Sequence, residues 1–255
     1  MHRPSLLVLP ALLLFFVATV AAAAPTVLFD QGHGQRFLVD RAGPLQLSTL
    51  AQSFVDDGWR IRTTAQPLSD ATLADAEALV CSGPFLPFAA GEIEAIVRFL
   101  EGGGRLAVML HIAPPAAPLL HRLNVAYSNG VIRERERVIG DNPLDFTVNR
   151  LQVHPLTGGL EHFALYGSWA LTGTADNVTV IASSGNRSWV DLNANGRFDA
   201  GDVSQPFGVL VTGSSGKGEF AVFGDDAIFQ NRFLTGANRE LADRLVDWLR
   251  PTTVR

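Results

Sequence analysis

Only one cysteine, Cys81, occurs among the 255 residues. No internal disulfide can form, so the fold must be held by its apolar core and by any metal it binds. Basic blocks are also absent. With 20 Lys and Arg against 25 Asp and Glu, the formal net charge is −5, which excludes nucleic acid as an expected partner. Internal repeats, low-complexity linkers and recognisable domain boundaries are missing too. A second long apolar run does not follow the first, at Leu6–Ala24, and no cysteine follows that run to carry a lipid anchor. What remains is a 47% hydrophobic chain, enough to bury one sizeable core.

The N-terminus carries an export pattern. His2 and Arg3 give a weakly positive start, Leu6–Val20 is apolar, and Ala21–Ala24 supplies small residues for cleavage. A signal peptide over residues 1–23 is expected, cut after Ala22 or Ala23, ahead of Pro25. A retained anchor is the alternative, because Leu6–Ala24 is almost long enough to span a bilayer. The expected product is one soluble periplasmic or extracellular domain over residues 24–255, with no membrane contact after cleavage.

Beyond the leader, short apolar runs alternate with helical periodicity. Strands are predicted at 26–30, 59–63, 77–81 and 105–110, and helices at 45–55 and 90–100. Gly58 and the Gly102–Gly104 run mark helix ends. Such alternation implies right-handed crossovers and a mostly parallel α/β sheet. Residues 124–185 change to short strands and turns, with 178–182 the clearest, so a β-rich insertion is expected. Segments 207–212 and 219–223 flank Gly213–Gly218 as a hairpin, and 237–249 is a closing helix.

The segment DLNANGRFDAGD, residues 191–202, fits the twelve-residue calcium-loop spacing. Asp191, Asn193 and Asn195 offer side-chain oxygens, and Gly196 stands where the chain must turn sharply. Arg197 offers its carbonyl, Asp199 binds directly or through water, and Asp202 closes the ring. A hard cation wanting six to eight oxygens matches that donor set. The last ligand is Asp rather than Glu, and only three donors are carboxylates, which points to weak Ca²⁺ affinity of the extracellular type. The flanks are extended rather than helical, so the loop resembles the EF-hand-like loops of secreted proteins such as dockerins.

Four segments together carry a family resemblance: VLFDQGHGQRF at 27–37, ALVCSGPFLPFAAGEIEAIVRFLEGGGRLAVML at 78–110, VHPLTGGL at 153–160 and GKGEFAVFGDDAIFQNRFLTGANRELADRLVDWL at 216–249. They resemble the DUF4350-type proteins of the class I glutamine amidotransferase-like superfamily, a grouping that includes the domain of gliding-motility and intraflagellar-transport proteins. The resemblance implies a flavodoxin-like, amidotransferase-like sheet with helices on both faces. Enzymes of that superfamily carry a nucleophilic Cys on the elbow after the fourth strand. Here the elbow reads MLHIAPP, with His111 and no thiol, while Cys81 lies one strand earlier.

In open α/β sheets, ligands bind beyond the carboxyl ends of the strands. This chain places Asp30, Gln31 and His33 there after the first strand, Ser82 after the third, His111 after the fourth, and Asp225 and Asp226 after 219–223. Asp30, His33 and Asp225 are the candidate catalytic residues, since a carboxylate and an imidazole are the minimum for general-base chemistry. Such residues also cap helices and fix turns. The favoured function is therefore a non-catalytic domain, stabilised by Ca²⁺, that binds a small ligand or an envelope protein. The alternative is a periplasmic hydrolase acting on glycans or related small substrates through the strand-end Asp and His residues.

Overall fold

The computed structural model describes residues 23–250. The expected signal peptide falls on residues 1–22, outside the described residues, apart from its last position. Among the described residues no helix is long and apolar enough to cross a membrane.

In chain order, the first half runs β1 (Thr26–Asp30), α1 (Ser48–Asp56), β2 (Arg60–Thr64), α2 (Asp70–Leu73), β3 (Ala78–Ser82), α3 (Ala90–Glu101), β4 (Arg105–Met109) and α4 (Ala117–Arg122). The second half runs β5 (Val125–Arg133), β6 (Val138–Ile139), β7 (Asn142–Val148), β8 (Arg150–Leu151), β9 (Phe163–Tyr166), β10 (Trp169–Gly173) and β11 (Val178–Ser183). It ends with β12 (Trp189–Val190), β13 (Val203–Ser204), β14 (Gly208–Ser215), β15 (Gly218–Phe223) and α5 (Ala237–Leu249).

The first four expected strands fall within one residue of β1 to β4. The expected helix at 45–55 starts later, at Ser48, because the Leu47 N–H is bonded to the Leu38 carbonyl in a turn.

A parallel core explains why its inner strands β1, β3 and β4 are largely apolar, while the edge strand β2, RIRTT, is polar and partly exposed. The order β2-β1-β3-β4-β15 is parallel throughout, so its inner strands are covered on both faces. Alternate residues go to opposite clusters. Val27 and Phe29 join Leu50 and Phe54 of α1 and Leu241 and Leu245 of α5. Leu28 and Leu79 join Leu73 of α2, Ile93, Ile96 and Leu100 of α3, and Leu119 of α4. Each such fully buried side chain stabilises the fold by roughly 1.5–3 kcal/mol relative to exposure.

The sheet is less parallel than its sequence suggests. β14 pairs antiparallel with β15, and β10, β5, β12 and β13 extend from it by antiparallel ladders into one 12-stranded sheet. A second sheet, β6-β7-β9, has three strands. Parallel pairing needs a crossover of a dozen or more residues, whereas hairpins need two. Short connections account for the consecutive antiparallel pairs β6-β7 and β14-β15, whereas β5 meets β10 and β10 meets β14 across intervening strands. The β-rich part is divided: β5, β8, β10 and β11 continue the main sheet, while β6, β7 and β9 form the second.

One position divides that sheet. Gly208 is opposite Leu171 of β10 and Ser183 of β11, so two strands leave β14 at the same residue. A Cβ there would overlap the Leu171 carbonyl oxygen and come within 2.9 Å of Val180, so only glycine allows the three backbones to meet.

Candidate functional site

Asp30 ends β1 on the same side as Leu28, towards α3. Its Oδ1 accepts the Gly32 N–H at 3.0 Å, and its Oδ2 accepts from His33 Nδ1 at 2.8 Å and from the Gln35 amide at 2.6 Å. The Gln35 side-chain oxygen Oε1 accepts the His33 backbone N–H at 2.7 Å. On its other side, His33 Nε2 lies 3.3 Å from Glu92. Glu92, in the first turn of α3, also accepts the N–H groups of Leu68 and Ala89 at 2.9 and 2.8 Å. The His33 ring lies against Phe88 with centroids 4.0 Å apart.

All three ionisable groups are at least nine-tenths buried. Burial opposes charge on His33, but its bonds to Asp30 and Glu92 outweigh that and raise its pKa. Burial likewise opposes charge on Glu92, yet the Ala89 and Leu68 N–H groups and His33 lower its pKa. The cluster is a closed brace between the turn after β1 and the start of α3.

His111 follows β4 on the opposite side of the sheet, in register with Ala107 and Met109. Its Nδ1 lies 3.0 Å from Oδ1 of Asp226. Asp226 is 1% exposed, whereas the His111 side chain is 38% exposed. The bond to Asp226 raises the His111 pKa despite burial. The Asp226 pKa is itself raised, chiefly by burial. The His111 ring sits between Phe37 and Phe85, with centroids 5.1 and 5.3 Å away, and Arg36 lies over Phe85. Its Nε2 has no hydrogen-bond partner among the described residues.

Three buried polar atoms at this edge lack a partner: Gln31 Nε2, Ser82 Oγ and Asp226 Oδ2. Native proteins leave few such atoms unpaired. Gly83, at φ +57°, lets the β3 end pass this carboxylate, since a Cβ there would lie 2.5 Å from Asp226 Oδ2.

Asp225 is turned elsewhere. Its Oδ2 accepts the Tyr166 N–H at 2.5 Å and its Oδ1 the Ala227 N–H at 2.8 Å. It thereby ties β9 to the 3-10 turn Ala227–Phe229. Burial, then repulsion from Asp226, pushes its pKa up to about 7. The structure thus joins Asp30 to His33 and separates both from Asp225, which lies three strands further along and on the other face. The exposed imidazole of this edge is His111, partnered by the next residue, Asp226. Cys81 is fully buried towards α3, and burial, then Asp30 and Glu92, raises its thiol pKa well above the ordinary value. Glu92 and the Asp226 pairing were not legible in the sequence, because both contacts span long separations, 59 and 115 residues.

The 191–202 segment hangs between β12 and β13, which pair antiparallel, so its flanks are extended. Its side-chain oxygens turn inward. Asp191 accepts the N–H groups of Asn195 and Gly196 at 3.1 and 2.7 Å. Asp199 Oδ2 accepts the amides of Asn193 and Asn195 at 3.0 and 2.7 Å. Asp202 accepts from the Leu192 and Asp199 N–H groups at 3.0 and 2.9 Å. The Gly201 N–H, with the two Asn amides, lowers the Asp199 pKa. Gly196 adopts φ +75°, as the sharp-turn position requires. Arg197 donates its N–H to Asn195 at 2.7 Å. Hard oxygen donors from five side chains gather around one short loop, so the residues present suit Ca²⁺. Among the described residues no cluster of three His, Cys, Asp or Glu forms a ready metal cage.

The profile described as Domain of unknown function (DUF4350) matches residues 39–246. No curated protein matches the sequence. Among solved structures, the N-terminal domain of mmIFT52 superposes with a TM-score of 0.70 at 17% identity, over 90% of this chain and 99% of that one. A putative ThuA-like protein from Bacteroides uniformis gives 0.55 at 16%, over 92% and 95%. The cytoplasmic protein STM1381 from Salmonella typhimurium gives 0.57 at 14%, over 88% and 99%. At these identities the likeness is one of fold.

Proposed function

The chain belongs to the DUF4350 family, and for this member we propose an exported, non-catalytic domain that binds a small polar ligand or an envelope partner at the carboxyl edge around His111, stabilised by Ca²⁺ in the 191–202 loop. One observation carries the reading: Ser82 Oγ and Asp226 Oδ2 are buried without partners on the edge where the half-exposed His111 ring lies between two phenylalanines. A ligand with hydroxyl or amide groups supplies those missing bonds, and the rings supply an apolar contact. The position after β4 carries an imidazole where the superfamily's enzymes have a thiol, and the chain's thiol is buried on the other side. We read the parallel half as flavodoxin-like, with helices on both faces. The order β2-β1-β3-β4-β15 and the division of α1 and α5 from α3 and α4 between two core clusters support it.

The test pairs activity with binding. Ammonia release from glutamine should be nil for wild type and for Cys81→Ser alike, and a Cys81-dependent burst of ammonia refutes the reading. Metabolite screening by ligand-observed NMR should find binders that His111→Ala loses.

A second reading rests on the Asp226–His111 pair itself. A buried carboxylate fixing Nδ1 leaves Nε2 directed outward, the arrangement of a general base. Turnover of a glycan or small ester that His111→Gln abolishes would favour a hydrolase.

A further inference from the structure

The fork at Gly208 opens a cavity unrelated to the carboxyl edge. It occupies about 580 Å³ between the β5-β10 arm and β11, and the β12–β13 hairpin forms its outer wall through Leu192, Val203 and Gln205. That volume suits a small organic molecule. No Asp, Glu, Lys, Arg or His lines it, so neither an anion nor a cation would find a charge partner. Its walls combine the Tyr127 and Phe207 rings with Leu171 and Val180. Among its lining residues, the side chains of Tyr127, Asn129, Ser183 and Gln205 have no hydrogen-bond partner among the described residues. Phenol, amide and hydroxyl groups beside aromatic faces match a molecule that is uncharged, rich in hydroxyls and apolar on one side. A lipid would leave four polar side chains facing methylenes, at a desolvation cost.

We propose that the cleft between the β5-β10 arm and β11, closed outside by the β12–β13 hairpin, is a binding site for a neutral saccharide of one or two rings. Tyr127 and Phe207 take its apolar face, and Asn129, Ser183 and Gln205 its hydroxyls. The site is separate from the carboxyl edge and stands whether or not His111 binds anything.

Saturation-transfer NMR on the full chain with maltose, cellobiose, lactose and chitobiose, and with glucuronate as a charged comparator, tests this directly. At least one neutral disaccharide should bind, and glucuronate should bind more weakly. Tyr127→Ala should weaken that binding about tenfold or more, as for a truncated contact ring. Gln205→Ala, an exposed position whose loss leaves the core intact, should weaken it as well. Hydrogen exchange should then slow at residues 126–129 and 203–207. The proposal is overturned if no neutral saccharide binds at tens of millimolar, or if binding survives both substitutions. It is equally overturned if protection falls at residues 31–37 and 82–85, or if residues 1–22 are found to fill the cleft.

Discussion

Replacing Asp30 with Asn keeps the side chain's shape and removes its charge, so it separates a structural carboxylate from a functional one. Asp30 is 3% exposed and accepts three hydrogen bonds, from the Gly32 N–H, His33 Nδ1 and the Gln35 amide. An Asn offers one oxygen and two N–H donors, so at least one of the three donors must face another donor. The His33 ring can shift its proton to relieve one clash, but then it no longer carries the charge that both Asp30 and Glu92 favour. Hydrogen bonds to a charged group contribute about 1.5–3 kcal/mol each, and a buried unpaired group costs about 1–3 kcal/mol. Losing one bond and leaving one donor orphaned therefore gives about 2.5–6 kcal/mol in all. In a domain of this size each kcal/mol lowers Tm by roughly 2–4 °C, so a fall of roughly 5–24 °C is expected by calorimetry. Ligand binding at the carboxyl edge should persist in the folded variant. A Tm within a degree of wild type, together with lost binding, would refute the brace and return Asp30 to the functional site.

Two further outcomes follow from the same contacts. His33 and His111 have native pKa values raised above their ordinary 6.5, so the stability they confer is fully present below about pH 6.5 and is lost as pH rises through the raised values. Asp225, held protonated up to about 7, acts in the same direction as the unfolded chain ionises from about pH 4 upward. Urea midpoints should therefore be lower at pH 8 than at pH 6, and an equal or higher midpoint at pH 8 contradicts this. Gly83→Ala places a methyl 2.5 Å from Asp226 Oδ2 at φ +57°. It should destabilise by about 1–3 kcal/mol and shift the His111 titration followed by NMR, whereas an unchanged titration would show that the Asp226 pairing does not depend on that glycine.

Much of the parallel half was legible because burial on both faces writes strands as apolar runs. TVLFD and ALVCS are fully buried, and each was placed within a residue. The last hairpin was visible too, but its expected connection, Gly213–Gly218, shrinks to Gly216-Lys217, since Gly213, Ser214 and Ser215 pair with Phe220, Glu219 and Gly218. Residues 124–204 were legible only as strands and turns, with the expected strand at 178–182 recovered in β11; the longer β5 and β7 were not separately visible, because their burial does not alternate regularly. α4 was missed for a related reason: six residues beginning Ala-Pro give no helical face. At the site, spacing located the polar residues at the strand ends but could not assign partners. Asp225 and Asp226 are adjacent, yet one ties β9 to a turn and the other holds His111. Only the tertiary fold decides which aspartate meets the imidazole.

Calcium-dependent melting tests the account most directly. A loop with three carboxylates and extracellular-type affinity has Kd of about 10⁻⁴–10⁻³ M. At ~10 mM Ca²⁺, mass action then stabilises the native state by about 1.4–2.7 kcal/mol, or roughly 3–11 °C in Tm for this chain length. Wild type should show that rise, EDTA should reverse it, and Asp191→Ala, which removes the carboxylate bonded to the Asn195 and Gly196 N–H groups, should abolish it. A wild-type Tm indifferent to ~10 mM Ca²⁺, or an Asp191→Ala variant with the same rise, would show that residues 191–202 form only a turn.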